Sequence, residues 1–537
     1  MQNIFNRKNL LITLILLIPF WIFLGGHYSL DTKITGTLPT GFFNGEAPYY
    51  MANARQYVDH GFNHLFYGNP FSYLAEGERV YFQFQTYFLA ILYKLTGNIN
   101  FVWQFFGILV TVLFVCCGIQ LLKEMHVPKK YLFLTSFLMI WGGGIQSITG
   151  FLSEFLHTFN LIEGIKAFEK FEIADGWWMQ SIGRNFLMPN YTYYHFLVML
   201  GFLFIKLKRH RELYFLGFVL SFSHPFVGAQ FLSGVFVWTL FERYYLNSIE
   251  SNYFSFKWIF VLLLMHLGYY FGFLNISSEH VLQAAQWDVR PEDLYKNWAM
   301  QAKNFIPTYI VVFGLAFYQI RNTKYFTRFF QDHFNRFLAI LGVSNFILAN
   351  HEFAIKPIQP IHFTHGMVWM PFFLLGVQTI VYLFKKFFKD KIFTKILVGL
   401  FILIFVSDNL LWMAKRTYQT HLGKSQTEIN LTVSQKAVID FIEKSIVNSH
   451  LFFVEDLNLG YHLAVYTNAR VFASHHIITP DSKNRKELQD QVIQYGKLPK
   501  NVKEDLYYII SSSPVRNKNL NKLIFENAAY KIYEMKN

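Results

Sequence analysis

The sequence is poor in cysteine and in charge. Two of its 537 residues are Cys. They are Cys116 and Cys117, side by side in an apolar run. Adjacent thiols suit neither a loop-closing disulfide nor a zinc cluster. A secreted disulfide scaffold is therefore excluded, and the cysteines say nothing about redox compartment. Charged residues make up 15% of the chain, against roughly 25% in soluble domains. No internal repeat, low-complexity segment or Gly-rich phosphate loop is apparent.

What replaces charge is apolar and aromatic surface. The chain is 53% hydrophobic and 20% aromatic, with Phe at 62 positions. Intrinsic disorder is ruled out. One water-soluble core cannot hide so much apolar surface, because cores stop growing and chains split into domains. The composition reads as an integral membrane protein embedded in a bilayer. The net charge of +14 would suggest nucleic acid in a soluble protein. Here the basic residues sit in short loops between apolar runs, which is the pattern of membrane orientation, so no nucleic-acid partner is expected.

A spanning helix needs about 20 apolar residues. Eleven runs qualify, several of them short: 9–26, 100–122, 131–150, 190–205, 213–223, 226–241, 258–275, 306–320, 337–350, 367–384 and 396–414. With the N-terminus inside, the inside segments carry 20 Lys and Arg in 66 residues and the outside loops 10 in 141. This asymmetry fixes the orientation and places the C-terminus outside. Residues 213–241 read either as one long helix or as a hairpin turning near Ser223-His224-Pro225. Pro225 breaks the backbone ladder, and basic flanks on both sides favour the hairpin. The first run is long and lacks a small-residue cleavage site, so it is expected to stay as an anchor. The expected division is a transmembrane domain over 1–416 with a large first outside loop at 27–99, a linker at 417–433, and an outside domain at 434–537. In that last part Ala437–Lys444 has helical spacing, while Leu451–Val454, Tyr507–Ile510 and Tyr530–Tyr533 read as strands. The fold class is thus an α-helical polytopic membrane protein of about 11 transmembrane helices with a small C-terminal α/β domain.

Chemistry concentrates in the first outside loop. A structureless loop of that length is unusual unless functional. Its centre runs from Gly45-Glu46-Ala-Pro48-Tyr49-Tyr50 through Arg55 and Asp59 to Gly61. Pro48 and Gly61 bracket a short helix. Glu46 falls at its N-terminus, where the helix dipole favours a carboxylate, so it reads either as a cap or as a reactive acid. A half-apolar helix follows, ending at Leu92-Tyr93-Lys94-Leu95-Thr96-Gly97, and should lie at the interface or dip into the membrane.

The pattern acid–x–x–Tyr–Tyr, then Ala–Arg, then Gly, all after the first span, resembles the first outside loop of the GT-C glycosyltransferases. These polytopic enzymes use polyprenyl-phosphate-linked sugars and include protein O-mannosyltransferases and aminoarabinose transferases. The C-terminal cues Tyr466-Thr-Asn-Ala-Arg470-Val, Ser474-His475-His476 and Thr479-Pro480 are similar to the outside domain of bacterial members. Family members mostly carry Asp at the loop acid, where this chain has Glu46, one methylene longer.

The resemblance implies an inverting transferase of the bacterial inner membrane, with its active site outside. It would move a sugar from a polyprenyl-phosphate donor to a lipid, glycan or protein acceptor. Glu46 would be the general base, with Tyr49 and Tyr50 lining the cavity. The leaving phosphate needs a cation, and Arg has the planar fork that suits it. Arg184 is the first candidate, beside Trp177 and Trp178 of an interface belt, or else an Arg that snorkels to headgroups. Arg55 and Lys94 are the others. The outside turn Asn350-His351-Glu352 through His362 and His365 reads as polar lining of a cavity mouth. Its three His and one Glu could hold a divalent metal, but the spacing matches no zinc signature, and no cofactor is certain. Asp408-Asn409, near the end of the last span, could face the cavity or interface water. The rival readings are a transporter or flippase of lipid-linked saccharides, and a non-catalytic scaffold.

Overall fold

The computed structural model describes residues 4–30, 35–75, 77–173, 182–246, 254–286, 291–321, 330–351, 354–355, 360–364, 366–389, 392–422, 429–446, 448–496, 498–499, 502–513 and 521–536. Each of the eleven apolar runs is helical over much or all of its length. Among the described residues three helices are individually long and apolar enough to cross a membrane: Ile99–Glu124, Phe256–Ile276 and Ile392–His421. Three bent pairs raise that to six if each is one span. They are Arg7–Leu16 with Ile18–Tyr28, Lys129–Trp141 with Gln146–Thr158, and Trp369–Leu375 with Val377–Lys389. Residues 213–241 form two helices, His210–Ser221 and Pro225–Leu240. Pro225 opens the second, and the His224 side chain accepts a hydrogen bond from the Val227 N–H at its first turn.

The chain forms two compact units. The first comprises Met1–Leu24, Gly107–Leu267 and Val289–Thr417 and is built of apolar helices. Its most informative local feature is the break at Gly142-Gly143-Gly144 in the expected 131–150 span. The freed backbone is paired inside the unit: Gly143 N–H donates to the Phe405 carbonyl at 2.8 Å and Ile145 N–H to the Pro307 carbonyl at 2.9 Å. Unpaired backbone at membrane depth is tolerated only where protein or water satisfies it. A Cβ on Gly144 would stand 2.3 Å from the Pro307 oxygen, so this approach requires glycine. The helix that follows, Gln146–Thr158, is capped from another part of the chain. The Asp408 carboxylate accepts from the N–H groups of Gln146 at 3.0 Å and Ser147 at 2.9 Å.

The second unit comprises Gly25–Phe106, Gly268–Asp288 and Tyr418–Asn537. Two short antiparallel pairs occur in it. Thr37–Leu38 (β1) pairs with Leu431–Thr432 (β4), and Tyr67–Gly68 (β2) with Arg79–Tyr81 (β3). The main sheet has Leu451–Val454 (β5), Arg470–Val471 (β6), Leu506–Ser511 (β7), Asn521–Glu526 (β8) and Lys531–Lys536 (β9) in the order β6-β5-β7-β9-β8. β5 is parallel to β6 and β7, and β9 is antiparallel to β7 and β8. Helix Leu457–Tyr466 links β5 to β6, and helix Ser482–Tyr495 links β6 to β7. β5 is apolar throughout because both faces are covered. Phe452 and Val454 pack with Val438, Ile439 and Ile442 of helix Val433–Ser445 on one face. Leu451 and Phe453 pack with Val492 of the other connecting helix on the opposite face.

Candidate functional site

The loop helix forms as its sequence indicates. It spans Ala47–His60, with Pro48 in its first turn and Gly61 after its end at φ 84°. Glu46 precedes it and is exposed. Its backbone is helical (φ −85°, ψ −19°) and its carboxylate makes no capping hydrogen bond. One hydroxyl from far along the chain braces the turn. Tyr461 Oη donates to the Gly45 carbonyl at 2.8 Å and accepts from Tyr49 N–H at 3.0 Å. Tyr461 is 1% exposed, on helix Leu457–Tyr466. Helix Leu457–Tyr466 therefore grips Gly45 and Tyr49, which bracket Glu46. This tyrosine is absent from the residues that sequence pattern singles out. It lies more than 400 positions from its partners, and nothing local distinguishes it from a core aromatic.

Around the turn the rings are ordered. Tyr49 stacks on Phe71 (6.0 Å, 18°), and Tyr50 stacks on Trp103 (6.0 Å, 18°). Tyr461 packs against Phe71 and against His475, one of the C-terminal His pair. Burial raises the Tyr49 hydroxyl above its ordinary pKa; a hydrogen bond with Asn53 opposes this, and the charge of Glu46 adds to it. Burial, reinforced by His476, lowers His475 to about 4.

The three candidate cations have different settings. Arg184 is 1% exposed within the helical unit. Its Nε donates to Asn409 Oδ1 at 2.7 Å and one Nη to the Asp408 carbonyl at 2.8 Å, and it stands 5.3 Å from the Trp412 ring. Both of these acceptors are neutral, so they orient the guanidinium. Arg55 is ion-paired with Asp59 at 2.9 Å and reaches Tyr93 Oη at 3.5 Å. Lys94 lies 4.9 Å from the Phe62 ring centroid. His362 sits in the turn Pro360–Phe363, stacked on Phe226 at 4.7 Å. His365, Glu352, Trp177 and Trp178 lie outside the described residues. Among the described residues no three of His, Cys, Asp and Glu gather as a metal-binding group.

Asp408 and Asn409 do not face a cavity or interface water. Both are fully buried. The Asp408 carboxylate is spent on the helix cap described above. Asn409 Nδ2 donates to the carbonyls of Trp141 and Gly142 at 3.1 and 2.9 Å. The pair is a brace that fixes the glycine break and Arg184 together.

No protein-family model and no curated protein matches the chain. Solved structures do. The fold is similar to that of a solved archaeal oligosaccharyltransferase. The oligosaccharyltransferase of Archaeoglobus fulgidus in its apo form superposes with a TM-score of 0.51 at 12% identity, over 95% of this chain and 70% of that one. A weaker likeness, TM-score 0.46 at 9% identity over 96% of each chain, is to ArnT from Cupriavidus metallidurans bound to undecaprenyl phosphate. At such identities the first likeness is one of fold.

Proposed function

We propose that the protein is a membrane glycosyltransferase that moves a sugar from a polyprenyl-phosphate donor to an acceptor on the outer face of the membrane, with inversion at the anomeric carbon. The observation that carries this reading is the Glu46 turn. An exposed carboxylate at a helix start makes no capping bond, yet Gly45 and Tyr49 on either side of it are pinned by a buried tyrosine more than 400 positions away in the chain. A cap would need no such support, whereas a general base must be held in place.

In this mechanism Glu46 takes the proton from the acceptor as it attacks the anomeric carbon. The departing polyprenyl phosphate gathers negative charge, and a fixed cation lowers the energy of that state. We assign the task to Arg184, with Arg55 and Lys94 as the other basic groups available. Tyr49, Tyr50 and His362 are assigned to the lining of the cavity.

Glu46→Gln tests the reading, because it keeps shape and removes the base. Sugar transfer should fall about 10²-fold or more, with abundance and donor binding unchanged. If Glu46 were only a dipole cap, the change would cost about 0.3–1 kcal/mol of stability and leave transfer near wild type. Asp59→Asn and Glu78→Gln are the controls in the same loop. If none of these carboxylates affects transfer, the glycosyltransferase reading fails and the transporter takes its place.

A further inference from the structure

A cavity of about 540 Å³ lies inside the second unit, walled by two stretches of sequence far apart in the chain. One wall is the end of the loop helix, Gln56 to His60, together with residues between Gly68 and Ala75, Gly77, and Arg79 of β3. The other is Thr467 to Arg470, where helix Leu457–Tyr466 runs into β6. Glu46 is not among its lining residues, although the cavity reaches Asn69 and Pro70, beside the Phe71 that stacks on Tyr49. Its volume falls in the range of small-molecule sites, roughly 300–1,000 Å³. Its walls are unlike the apolar lining usual for such sites, being mostly amides, hydroxyls and charged groups.

The charges there are unequally committed. Arg470 is fixed by a two-pronged pair with Glu504 (2.7 and 3.1 Å) and by the Tyr73 and Ser449 carbonyls. Asp59 is neutralised by Arg55. Arg79, exposed on β3, has no ion pair or side-chain hydrogen bond among the described residues. Among the described residues the lining thus carries Asp59 and Arg470, each already paired, and one uncommitted guanidinium, with the Gln56 amide and His60 imidazole on the same wall. The apolar part of the lining, chiefly Pro70, Leu74 and three alanines, is too small for a lipid tail. A polyhydroxylated ligand finds many partners, and one bearing an anion finds the guanidinium fork that suits carboxylate and phosphate.

We propose that this cavity is a second saccharide site, which takes an acidic sugar of the acceptor, carboxylate- or phosphate-bearing, on Arg79. This rests on the glycosyltransferase reading and names its acceptor as an acidic glycan. A second site beside the base suits a polymeric acceptor that is gripped along its length while its end is at Glu46.

The experiment is calorimetric binding to the purified full-length protein in detergent. The probes are trigalacturonate, glucose 6-phosphate, and neutral maltotriose. One of the two anionic probes should bind, and whichever binds more tightly identifies carboxylate or phosphate as the natural anion. Arg79→Gln should weaken it by about tenfold or more, the loss of a charge-assisted hydrogen bond. Ala75→Trp, which fills the cavity and leaves the charge in place, should weaken it as well. Glu46→Gln should leave it unchanged. Equal binding of maltotriose, unaltered binding in Arg79→Gln, or absence of binding by both anionic probes overturns the proposal. So does loss of binding in Glu46→Gln, which would place the sugar at the Glu46 turn instead. Anion binding that depends on Arg79, in a protein whose transfer is indifferent to Glu46→Gln, upholds this site and refutes the catalytic reading alone.

Discussion

Tyr461→Phe is the sharpest test of how the C-terminal domain serves the site. The substitution removes one oxygen atom and keeps the ring that packs on Phe71 and His475. That oxygen makes two hydrogen bonds, to the Gly45 carbonyl and from the Tyr49 N–H. A hydrogen bond is worth about 1 kcal/mol net, and a buried group left without a partner costs about 1–3. The two losses are not equal. Tyr49 N–H also reaches the Glu46 carbonyl at 3.2 Å, so it keeps a partner, whereas the Gly45 carbonyl loses the one that holds it. The turn should therefore be weakened by about 1–2 kcal/mol, which is roughly 5- to 30-fold in its local opening equilibrium at 1.4 kcal/mol per tenfold. Hydrogen exchange read by mass spectrometry should show the peptide containing Tyr49 exchanging faster by that factor, with the β5–β7 sheet unaffected. Turnover should fall with it, and kcat more than KM, since the base is displaced and the acceptor is not. The double variant with Glu46→Gln should be no slower than Glu46→Gln alone, because Tyr461 acts only through the turn. Unchanged exchange at Tyr49, or a loss that adds fully to that of Glu46→Gln, would refute the argument.

Other consequences are open to measurement. Arg485 and Glu279 form a pair at 3.1 Å with both side chains under 10% exposed, and Arg485 also donates to the Phe71 carbonyl. Breaking such a pair leaves a buried charge, so Glu279→Gln or Arg485→Leu should cost about 3–5 kcal/mol, read as a loss of thermal stability in detergent. Asp408→Ala strips the cap from helix Gln146–Thr158 and should cost about 0.5–2 kcal/mol, while Asp408→Asn, which keeps one acceptor, should cost less. Burial raises the Glu455 carboxyl, but hydrogen bonds from the Ser512 N–H and the Ser511 and Ser512 hydroxyls, with Lys486 nearby, outweigh it and leave the pKa below the ordinary carboxylate value. A depressed folded-state pKa stabilises above the unfolded value of about 4.3, and that stability is lost as pH falls through the lowered one. Glu455→Gln should therefore flatten the acid limb of the unfolding profile and leave stability unchanged in pH dependence above about 5. Reporter fusions after Lys395 and after Asn537 should report opposite sides of the membrane, cytoplasmic and outside, as the Lys and Arg asymmetry requires.

Much of the fold is legible in the sequence because the signals that set it are local. Helix Ala47–His60 is announced by Pro48 and Gly61, and the turn at 222–224 by Pro225. β5 can be read because an apolar Leu-Phe-Phe-Val run of four residues suits a strand covered on both faces. The glycine break is different. An apolar run through Trp141-Gly-Gly-Gly144 scores as one span, since hydropathy records composition and not the course of the backbone. What ends the helix there is tertiary: the Phe405 and Pro307 carbonyls and the Asp408 carboxylate take the freed N–H groups, and all three lie more than 150 positions away.

The same division runs through the site. Glu46 is visible from sequence because a helix start and two tyrosines mark it. Asp408 was equally visible as an acid in an apolar segment, and such a group is a functional candidate by default. Its neighbours decide otherwise. A carboxylate that already accepts two backbone N–H groups has its charge committed to structure, whereas the Glu46 side chain makes no cap and its turn is pinned by Tyr461, the arrangement on which the proposed base rests. Residue type cannot separate these cases. The separation lies in who donates to the oxygen, and in Tyr461, whose partners at 45 and 49 only the folded chain brings within reach.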